Sequence, residues 1–454
     1  MKKFLVVCLA MLMLTSLVFA QGAKDAAATE AAPEVITVWS DNAHEETLRR
    51  AQIEAFNNGE GKELGIFIEY KIFGGNFSDT IKIAAQAGEA PDLYRSDSKW
   101  MQGFVDSGFL VPIEELPGSE ALLNKFKPML SKQAHIFNGK TYTLPYNLTT
   151  YGFVINKDLF KQVGLSEADY PKTWADVRRV AKIITDKSNG KAYGLGLSST
   201  LWTISSFYTM PNGQNVGHYG YDWNAQQFAY SDYNPLIETV DQMVADGSVF
   251  PGFEVLDGDG IRAQFAAGRI GMIGAASFDC AVYTKQFPAA FDWVVIDIPM
   301  FNANQETYKR FGNPTNLLCV GANARKHPEK VLKVLEFFYA DENAAAMYEQ
   351  GLYIPIRSQA TAMAKNEPTL KGWKEFAQFD EVFAMPPVPD TLIQLEGPSY
   401  REVLVNMWTN PKLDDVKARM ADVDKRYNSA LSKLPAEKLN LYTLAPGVTA
   451  QRSK

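Results

Sequence analysis

Cysteine and histidine are both scarce in this sequence. The 454 residues include 3 Cys and 4 His, and three cysteines are far below the density on which small secreted domains depend for stability. The histidines leave few candidates for a histidine-rich metal centre or a histidine-based catalytic relay. We therefore expect no disulfide scaffold, no metal site and no cofactor.

Positive charge is not in excess, and long apolar runs are confined to the N-terminus. The sequence has 45 Lys and Arg against 52 Asp and Glu, for a net charge of −7. A nucleic-acid-binding protein needs a clustered cationic surface that displaces counterions from phosphates, so we expect no nucleic acid partner. After residue 19 no apolar run reaches the about 20 residues that a membrane-spanning helix needs.

The N-terminus has the pattern of a secretory signal peptide. Lys2 and Lys3 precede an apolar run at residues 4–19, and the small residue Ala20 follows the run. The run is also shorter than a typical membrane span. This pattern predicts a signal peptide at residues 1–20, cleaved after Ala20, and therefore a periplasmic location.

Three features of the exported chain leave alternatives open. Cys8 faintly resembles the lipid-attachment cysteine of a lipoprotein, although Val7 is large where a small residue is expected. Residues 21–34 are rich in Ala and lack an apolar period, which predicts a flexible leader. Cys280 and Cys319 could pair after export, but Cys319 lies in an apolar run, which favours a buried thiol.

From residue 35 onward, short apolar runs alternate with helical patterns, as is typical of βα units and a mostly parallel sheet. The length is about three times that of a common domain, which favours two lobes. Predicted strands lie at 35–39, 66–73, 92–94, 268–275 and 293–299, and predicted helices at 44–58, 77–87, 100–107, 173–187, 235–246, 260–267, 328–340 and 414–434. The stretch 139–160 is rich in extended segments and is predicted to cross between lobes. The fold class is therefore α/β.

Local signatures of enzymes are incomplete. His44 begins a zinc-protease pattern, but Leu48 stands where the second histidine is required. The segment 257–260 hints at a calcium loop, yet Gly268 occupies the position of the bidentate Glu, which favours a polar turn. The pair of glycines at 194 and 196 lacks the third glycine of a dinucleotide site. No catalytic residue is predicted, although a pair of glycosidase carboxylates stays possible because its spacing is three-dimensional.

Several stretches along the chain form an ordered series of motifs. They are VITVWSD (35–41), GEAPDLYRSD (88–97), SGFLVPIEEL (107–116), NGKTYTLPYNLTTYGFVINKDLFKQVGL (138–165), PKTWADV (171–177), FAAGRIGMIGA (265–275) and GLYIPIRS (351–358). Each stretch alone is a weak signal, but their order and spacing together are specific. In this order they resemble the extracellular solute-binding proteins of family 1, the receptors of carbohydrate ABC importers.

The resemblance implies the two-lobe periplasmic binding protein fold of type II, with a cleft between lobes joined by crossing hinge strands. The N-terminal lobe would comprise 35–145 plus 300–355, and the C-terminal lobe 146–299 plus 356–454. The implied function is a non-enzymatic receptor that binds a sugar or oligosaccharide and delivers it to ABC permease subunits. We expect a monomer.

A sugar site needs polar side chains around the ring edge and an aromatic surface below it, and ligands in α/β lobes bind at the carboxyl ends of strands. Loops after the first and third strands supply Trp39, Ser40, Asp41, Asn42, Ser96, Asp97 and Trp100. The resemblance adds Asn147, Thr149, Trp202, Phe207, Ser277, Phe278, Asp279, Gly312 and Asn313 as candidate ligand-binding residues.

Each of these positions also has a structural explanation. Trp39 and Trp100 could belong to the core, Asp41 and Asp97 could cap helices, and Asn313 could be a turn residue before a proline. Maltose-binding members of the family carry tryptophan at the positions of Ala276 and Leu395, so their maltodextrin platform is not reproduced here.

Two alternatives to the sugar receptor remain. The same receptor could carry a glycerol phosphate, a polyamine or a metal complex, and a phosphate would need arginine or lysine in the cleft. Arg95 and Arg310 lie near the predicted site loops. The alternative from another class is a secreted carbohydrate-active enzyme.

Overall fold

The computed structural model describes residues 32–74, 76–200, 203–377, 382–410, 415–444 and 448–452. The predicted signal peptide, most of the leader, Cys8 and the candidate ligand residue Trp202 lie outside the described residues. Among the helices of the described ranges, none has the length and apolar character that a membrane crossing needs.

The strands follow the apolar runs of the sequence. They are β1 (Glu34–Ser40), β2 (Ile66–Ile72), β3 (Leu93–Arg95), β4 (Ile136–Phe137), β5 (Lys140–Thr141), β6 (Thr143–Thr149), β7 (Tyr151–Asn156), β8 (Tyr193–Gly196), β9 (Tyr221–Asp222), β10 (Gln227–Phe228), β11 (Ile270–Ala276), β12 (Trp293–Ile296), β13 (Arg310–Val320), β14 (Ile354–Pro355) and β15 (Val382–Ala384).

The α-helices lie between the strands and on the faces of the sheets. They are α1 (Glu46–Asn58), α2 (Glu60–Leu64), α3 (Phe77–Ala87), α4 (Ser98–Asp106), α5 (Glu120–Phe126), α6 (Lys157–Gln162), α7 (Trp174–Lys187), α8 (Gly213–Val216), α9 (Asn234–Ala245), α10 (Gly258–Ala266), α11 (Asp279–Ala281), α12 (Pro328–Phe338), α13 (Asp341–Glu349), α14 (Ser358–Met363), α15 (Trp373–Phe376), α16 (Tyr400–Thr409), α17 (Val416–Leu431) and α18 (Ala436–Leu439). Short π-helical segments occur at Ile204–Thr209 and Val282–Gln286.

The first sheet combines strands from the N-terminal part of the chain with three later strands. Its strand order is β14-β6-β13-β3-β1-β2, and β15 pairs with the start of β13. Strand β1 runs parallel to both β2 and β3, whereas β13 runs antiparallel to β3 and β6. The carboxyl ends of β1 and β3 therefore meet at one edge of this first sheet.

A second sheet has the strand order β12-β7-β11-β8. Strand β11 is parallel to β8 and antiparallel to β7. The chain leaves the first sheet at the end of β6 and enters the second at β7 through the single residue Thr150. It returns between β12 and β13, and leaves again after β14. The α/β fold class is confirmed. The chain passes from the first sheet to the second at Thr150 rather than at residue 145. The exact lobe boundaries stay a prediction.

Helix α7 shows how the sequence forms these elements. The Thr173 hydroxyl accepts a hydrogen bond from the backbone N–H of Asp176 at 3.1 Å, and the Asp176 carboxylate accepts one from the Thr173 N–H at 3.1 Å. This reciprocal capping satisfies N–H groups that have no partner within the helix. The predicted helix at 173–187 is thereby confirmed, and its apolar face is buried against the second sheet.

Two glycine-containing motifs of the sequence have structural roles. A Cβ atom on Gly194 would lie 2.1 Å from the Cα of Ala181, so this glycine permits the close approach of α7 to β8. In the segment 257–260, the Asp257 side chain caps α10 by accepting a hydrogen bond from Gly260 N at 2.7 Å. The prediction of a polar turn rather than a calcium loop agrees with this cap.

The cysteines of the described chain do not pair. Cys280 and Cys319 are both buried and free, and they belong to different apolar clusters. Cys319 lies on β13 opposite Tyr94 of β3. The expectation of buried core thiols is confirmed, and burial raises the pKa of both thiols above the ordinary cysteine value.

Candidate functional site

A cavity of about 240 Å³ lies between the two sheets, and we call it the inner chamber. The residues that line it come from both halves of the molecule and from the strands that join them. They are Asn42, His44, Arg95, Asn147, Leu148, Thr149, Tyr151, Ser206, Ala276, Ser277, Phe278, Asn313, Thr315, Asn316, Leu317, Leu352, Tyr353 and Ile354. A molecule bound here contacts both sheets at once.

The inner chamber lies at the carboxyl ends of strands, where open α/β sheets bind ligands. Asn42 and His44 follow β1, Arg95 ends β3, and Ser277 follows β11. Because β1 and β3 pair in parallel, their carboxyl ends present side chains at the same edge. Strand β11 brings Ser277 to this edge from the opposite sheet.

The joining strands β6 and β13 carry amide and hydroxyl groups into the inner chamber. In their antiparallel register, Asn313 stands opposite Thr149, and Thr315 stands opposite Asn147. The Thr315 hydroxyl donates a hydrogen bond to the side-chain oxygen of Asn147. Directly opposite residues on paired strands have close side chains, so the pairing concentrates four polar groups in one part of the wall.

Arg95 is the arginine of the inner chamber, and its charge is already matched. Its guanidinium makes a bidentate pair with the Asp41 carboxylate, in which Nη2 donates to Oδ2 at 2.9 Å and Nε donates to Oδ1. Nη1 donates to the carbonyl oxygen of Ser96 at 3.2 Å. Asp97 adds a second carboxylate at 3.9 Å. This corner of the chamber therefore carries no excess positive charge.

Aromatic rings form another part of the inner wall. The rings of His44 and Tyr353 meet edge to face with centroids 5.2 Å apart. Burial raises the pKa of the phenols of Tyr151 and Tyr353 well above the ordinary value, so both hydroxyls stay protonated and can donate hydrogen bonds. Removal from bulk water lowers the pKa of His44 against the opposing effect of nearby carboxylates.

A second cavity, of about 750 Å³, opens from the first, and we call it the outer chamber. The two chambers share His44, Phe278 and Leu352. The remaining residues that line the outer chamber are Thr47, Leu48, Ala51, Asp259, Arg262, Ala281, Val282, Lys285, Gln286, Gln350 and Gly351. The shared residues place the two chambers side by side in one cleft.

Arg262 of α10 lies between two phenylalanine rings beside the outer chamber. Its guanidinium carbon is 5.2 Å from the centre of the Phe207 ring and 5.3 Å from that of Phe278. Nε donates to the buried carboxylate of Asp279 at 2.7 Å, and Nη1 donates to Asp259 at 3.0 Å. This arrangement combines a buried ion pair with two cation–π contacts.

Charge and burial act against each other in this cluster. Burial raises the pKa of Asp279 above the ordinary aspartate value, although the positive charge of Arg262 opposes that rise. Burial alone would lower the pKa of Arg262, but the combined effect of Asp279, Tyr283 and Asp259 is larger, so the pKa of Arg262 is raised. Asp279 also accepts a hydrogen bond from the backbone N–H of Ala276 at 2.8 Å, which fixes the loop after β11.

Part of the predicted site lines the inner chamber. These residues are Asn42, Asn147, Thr149, Ser277, Phe278 and Asn313. They come from the carboxyl ends of β1 and β11 and from the joining strands. Their roles as ligand-binding residues stay a prediction, now with a common location.

The two predicted tryptophans of the described chain lie in the first lobe away from the chamber wall. The Trp39 ring is 4.7 Å from the Phe73 ring, and Lys71 lies over its face. Trp100 is buried in an apolar cluster, with its ring 4.4 Å from that of Phe104. Both positions show the packing alternative considered from the sequence.

Several predicted polar residues support the wall from behind. Asp41 and Asp97 face Arg95 as carboxylate partners. Ser40 is buried and accepts a hydrogen bond from the backbone N–H of Asn42 at 3.1 Å. Ser96 is buried with its hydroxyl 3.2 Å from that of Thr143 on β6. These residues orient the side chains that reach the chamber.

The remaining predicted residues contact other groups beside the cleft. Phe207 and Asp279 pack around Arg262. Gly312 is a packing position, because a Cβ atom there would lie 2.7 Å from a methyl carbon of Val382.

Other lining residues were not predicted from the sequence. They include His44, Tyr151, Ser206, Arg262, Thr315, Asn316 and Tyr353, whereas Arg95 was noted from the sequence as a cation near the site loops. Tyr151 follows the predicted hinge residues directly, and Thr315 is register partner to Asn147, so a prediction of strand pairing would have pointed to them. Arg262 lacks such a signal because Phe207 and Phe278 are distant from it in sequence.

The described residues contain no group of three or more His, Cys, Asp or Glu side chains arranged to hold a metal ion. Two of the histidines have hydrogen bonds that belong to the scaffold. His218 bonds to Asp232 at 3.0 Å, and His327 bonds to Glu34 at 2.9 Å and to Asp92 at 2.8 Å. These contacts tie loops and strand ends together.

Solved structures share this architecture. The GacH receptor of Streptomyces glaucescens, solved unliganded and in complex with acarbose, has a TM-score of 0.65 at 20% identity, covering 88% of this chain and 99% of that one. At this identity the likeness shows the fold alone, which is the two-lobe periplasmic binding protein fold of type II.

Curated relatives are binding proteins. A maltotriose-binding protein of Pyrococcus abyssi is 29% identical over 152 residues, or 34% of this chain and 30% of the relative, so the match spans less than a third of that protein's length. An sn-glycerol-3-phosphate-binding periplasmic protein of Rhizobium meliloti is 25% identical over 248 residues, covering 52% of this chain and 53% of the relative.

The family model for bacterial extracellular solute-binding proteins matches residues 41–345, which is more than half of the chain. The matched range includes all elements from α1 to α12 and most of the residues that line both chambers. The resemblance stated from the sequence is thereby confirmed, and this chain belongs to the bacterial extracellular solute-binding protein family.

Proposed function

We propose that this protein is the receptor of an ABC importer and that it binds an uncharged sugar in the cleft between its lobes. The observation that carries the proposal is the chemistry of the inner chamber, where amide and hydroxyl side chains stand with aromatic rings between two sheets. Sugar hydroxyls need such polar partners, and sugar ring faces need an aromatic surface.

Charge pairing favours an uncharged ligand over a phosphate. A phosphate site needs cationic side chains that can bond to the ligand bidentately. Arg95 is committed to Asp41, Arg310 to Asp297, and Arg262 to Asp279 and Asp259. One relative's name suggests a glycerol phosphate ligand. The phosphate of such a ligand could bind one of these arginines only after the ion pair between that arginine and its aspartate had been broken.

The inner wall also favours binding over hydrolysis. Most glycosidases use two carboxyl groups that flank the scissile bond. Among the described residues that line the inner chamber there is neither aspartate nor glutamate, and Asp41 behind the wall is held by Arg95. The family and the structural relatives are likewise binding proteins.

The position of the chamber between the two sheets supports ligand-driven closure of the lobes as the step before delivery to a permease. A sugar that contacts Asn42 on one side and Ser277 on the other favours the arrangement in which the two lobes approach. The strands β6 and β7 join at Thr150, which is a short connection that can absorb rotation as a hinge does. In this proposal the exported monomer presents the closed form to the transmembrane permease subunits.

A thermal-shift screen tests the ligand class. Mono- and oligosaccharides and sn-glycerol 3-phosphate are added separately to the protein, because a ligand of the folded state raises its melting temperature by mass action. We expect a sugar to raise the melting temperature and sn-glycerol 3-phosphate to leave it unchanged.

Matched variants tie that shift to the inner chamber. Phe278→Ala should weaken the sugar-dependent shift, whereas Ile83→Ala should preserve it, because Ile83 is 67% exposed on α3 and lies outside both chambers. A shift with sn-glycerol 3-phosphate and none with any sugar would overturn the proposed cargo.

A further inference from the structure

The outer chamber differs chemically from the inner one. Its half-buried lining consists of Leu48 on α1, Leu352, and the Phe278, Ala281 and Val282 side chains of the opposite lobe. The inner chamber instead offers amides, hydroxyls and a paired arginine. A single cleft therefore joins a polar compartment to an aliphatic one.

Most polar residues of the outer chamber lie at its rim, and His44 lies where the two chambers meet. Thr47, Asp259, Lys285, Gln286 and Gln350 are all exposed. Arg262 is buried, but two of its nitrogens already donate to carboxylates. The interior of this chamber thus presents mainly carbon atoms to a ligand.

A second sugar unit does not match this interior. Each buried hydroxyl that exchanges water for an aliphatic wall loses hydrogen bonds without replacement, which is costly. An apolar group of the same size instead gains from leaving water. The charges of Arg262 and Lys285 are balanced by those of Asp259 and Asp279, so this side of the cleft has no net preference for an anionic group.

We propose that the natural ligand is a glycoside with an apolar aglycone, such as an aromatic group. Its sugar occupies the inner chamber and its aglycone occupies the outer chamber between Leu48 and Val282. The shared residues His44, Phe278 and Leu352 mark the point where the glycosidic bond passes from one chamber to the other. This inference rests on the proposed sugar-binding function and specifies the substrate class of the same site.

Titration calorimetry with matched glycosides tests the inference. The probes are the methyl and phenyl glycosides of glucose, galactose, mannose and xylose in both anomeric forms, together with maltotriose and cellotriose. For any sugar that binds, we expect the phenyl glycoside to bind at least about tenfold more tightly than its methyl counterpart, because the phenyl ring leaves water.

Variants of the outer chamber locate the effect. Val282→Thr keeps the side-chain shape but adds a hydroxyl, and Leu48→Gln replaces the facing aliphatic group with an amide. Each should reduce the ratio of phenyl to methyl affinity by about threefold or more. This affinity ratio does not depend on the fraction of folded protein, because both glycosides are measured on the same sample. Val255→Thr is the matched control, because Val255 is 88% exposed and lies outside both chambers. It should leave the ratio unchanged.

The possible failures are distinguishable. Equal affinities within every methyl and phenyl pair, or a trisaccharide that binds more tightly than the phenyl glycoside of its own sugar, would overturn the aglycone inference and leave the sugar receptor intact. A preference for phenyl that survives both variants would also overturn it. Absence of binding by every sugar and glycoside would overturn the proposed function and this inference with it.

Discussion

Arg262 illustrates how one residue organises the side of the cleft. It is almost fully buried, with 8% of its side chain exposed, and its partner Asp279 is 1% exposed. Two phenylalanine rings cover the guanidinium, and Phe278 among them lines both chambers. Arg262 therefore supports the aromatic wall and neutralises the carboxylate that holds the loop after β11.

Arg262→Met should destabilise the protein by about 3 kcal/mol, because it leaves the Asp279 carboxylate buried without a counter-charge. Adding Asp279→Asn should recover most of the loss, since the double variant buries no charge. Urea unfolding of the single and double variants measures both effects. Equal stability of the two variants would contradict this account of the pair.

The same single variant should show a characteristic dependence on pH. Without Arg262, burial raises the pKa of Asp279 further above its unfolded value, so the folded state binds a proton more tightly. The contribution of a raised aspartate pKa to the free energy of unfolding is present at low pH. It is lost as the pH rises through the pKa of Asp279 in the folded variant. The deficit of Arg262→Met relative to the wild type should therefore be smaller at about pH 5 than at about pH 8.

His135 gives a second residue-scale prediction. The backbone N–H of Ser131 donates to its Nδ1 at 2.9 Å, and burial lowers the pKa of His135 to about 4. In the unfolded chain His135 takes up a proton near pH 6.5, whereas in the folded chain it does so only near pH 4. The free energy of unfolding should therefore fall by about 3 kcal/mol as the pH drops from about 6.5 to about 4. His135→Gln should flatten that part of the profile in urea unfolding measured across the same range.

At the scale of elements, the contact of α7 with β8 depends on the absence of a side chain at residue 194. Gly194→Ala should lower the free energy of unfolding by about 2 kcal/mol or more, because its Cβ atom would overlap Ala181. The measurement is chemical denaturation of the purified variant.

Gly103→Ala is the matched control for that substitution. Gly103 lies within α4, and a Cβ atom there would meet nothing within 4 Å. Alanine in a helix interior should raise stability by about 0.5–1 kcal/mol. If Gly103→Ala lost as much stability as Gly194→Ala, the close approach of Ala181 would not explain the effect at residue 194.

The longer elements were predictable from local patterns, whereas many of the short strands and helices were not predicted. Helix α3 has the predicted bounds, Phe77–Ala87, and Gly88 ends it in the left-handed conformation at φ 72°. Helix α1 begins later than predicted, because Ala43–Glu45 forms a turn of 3-10 helix first. Local hydrogen bonds and apolar spacing determine where such a helix lies. They do not determine at which residue it begins or ends.

At the scale of the whole molecule, the cleft lies between two sheets joined by strands, so ligand binding and lobe movement are linked. A saturating sugar that contacts both lobes should stabilise the closed arrangement and reduce the radius of gyration in small-angle X-ray scattering. Phe278→Ala should need a higher sugar concentration to reach the same compaction. An unchanged radius of gyration at saturating sugar would contradict ligand-driven closure.

The sequence by itself determined the α/β class, the family, the buried thiols and part of the cleft wall. These follow from local apolar periodicity and from ordered motifs, and residues such as Asn42 and Ser277 come directly after strands that the pattern identifies. Tertiary structure alone decided that Trp39 and Trp100 pack in the first lobe, since a tryptophan at a strand end suits a core as well as a cleft.

Tertiary structure also decided which charged side chains form ion pairs and which residues face each other across the cleft. Arg95 and Asp41 pair because β1 and β3 are neighbours in the sheet, although 54 residues separate them in the chain. Leu48 and Val282 line one chamber because two lobes face each other. Such contacts depend on how the whole chain packs, so a local sequence pattern does not predict them.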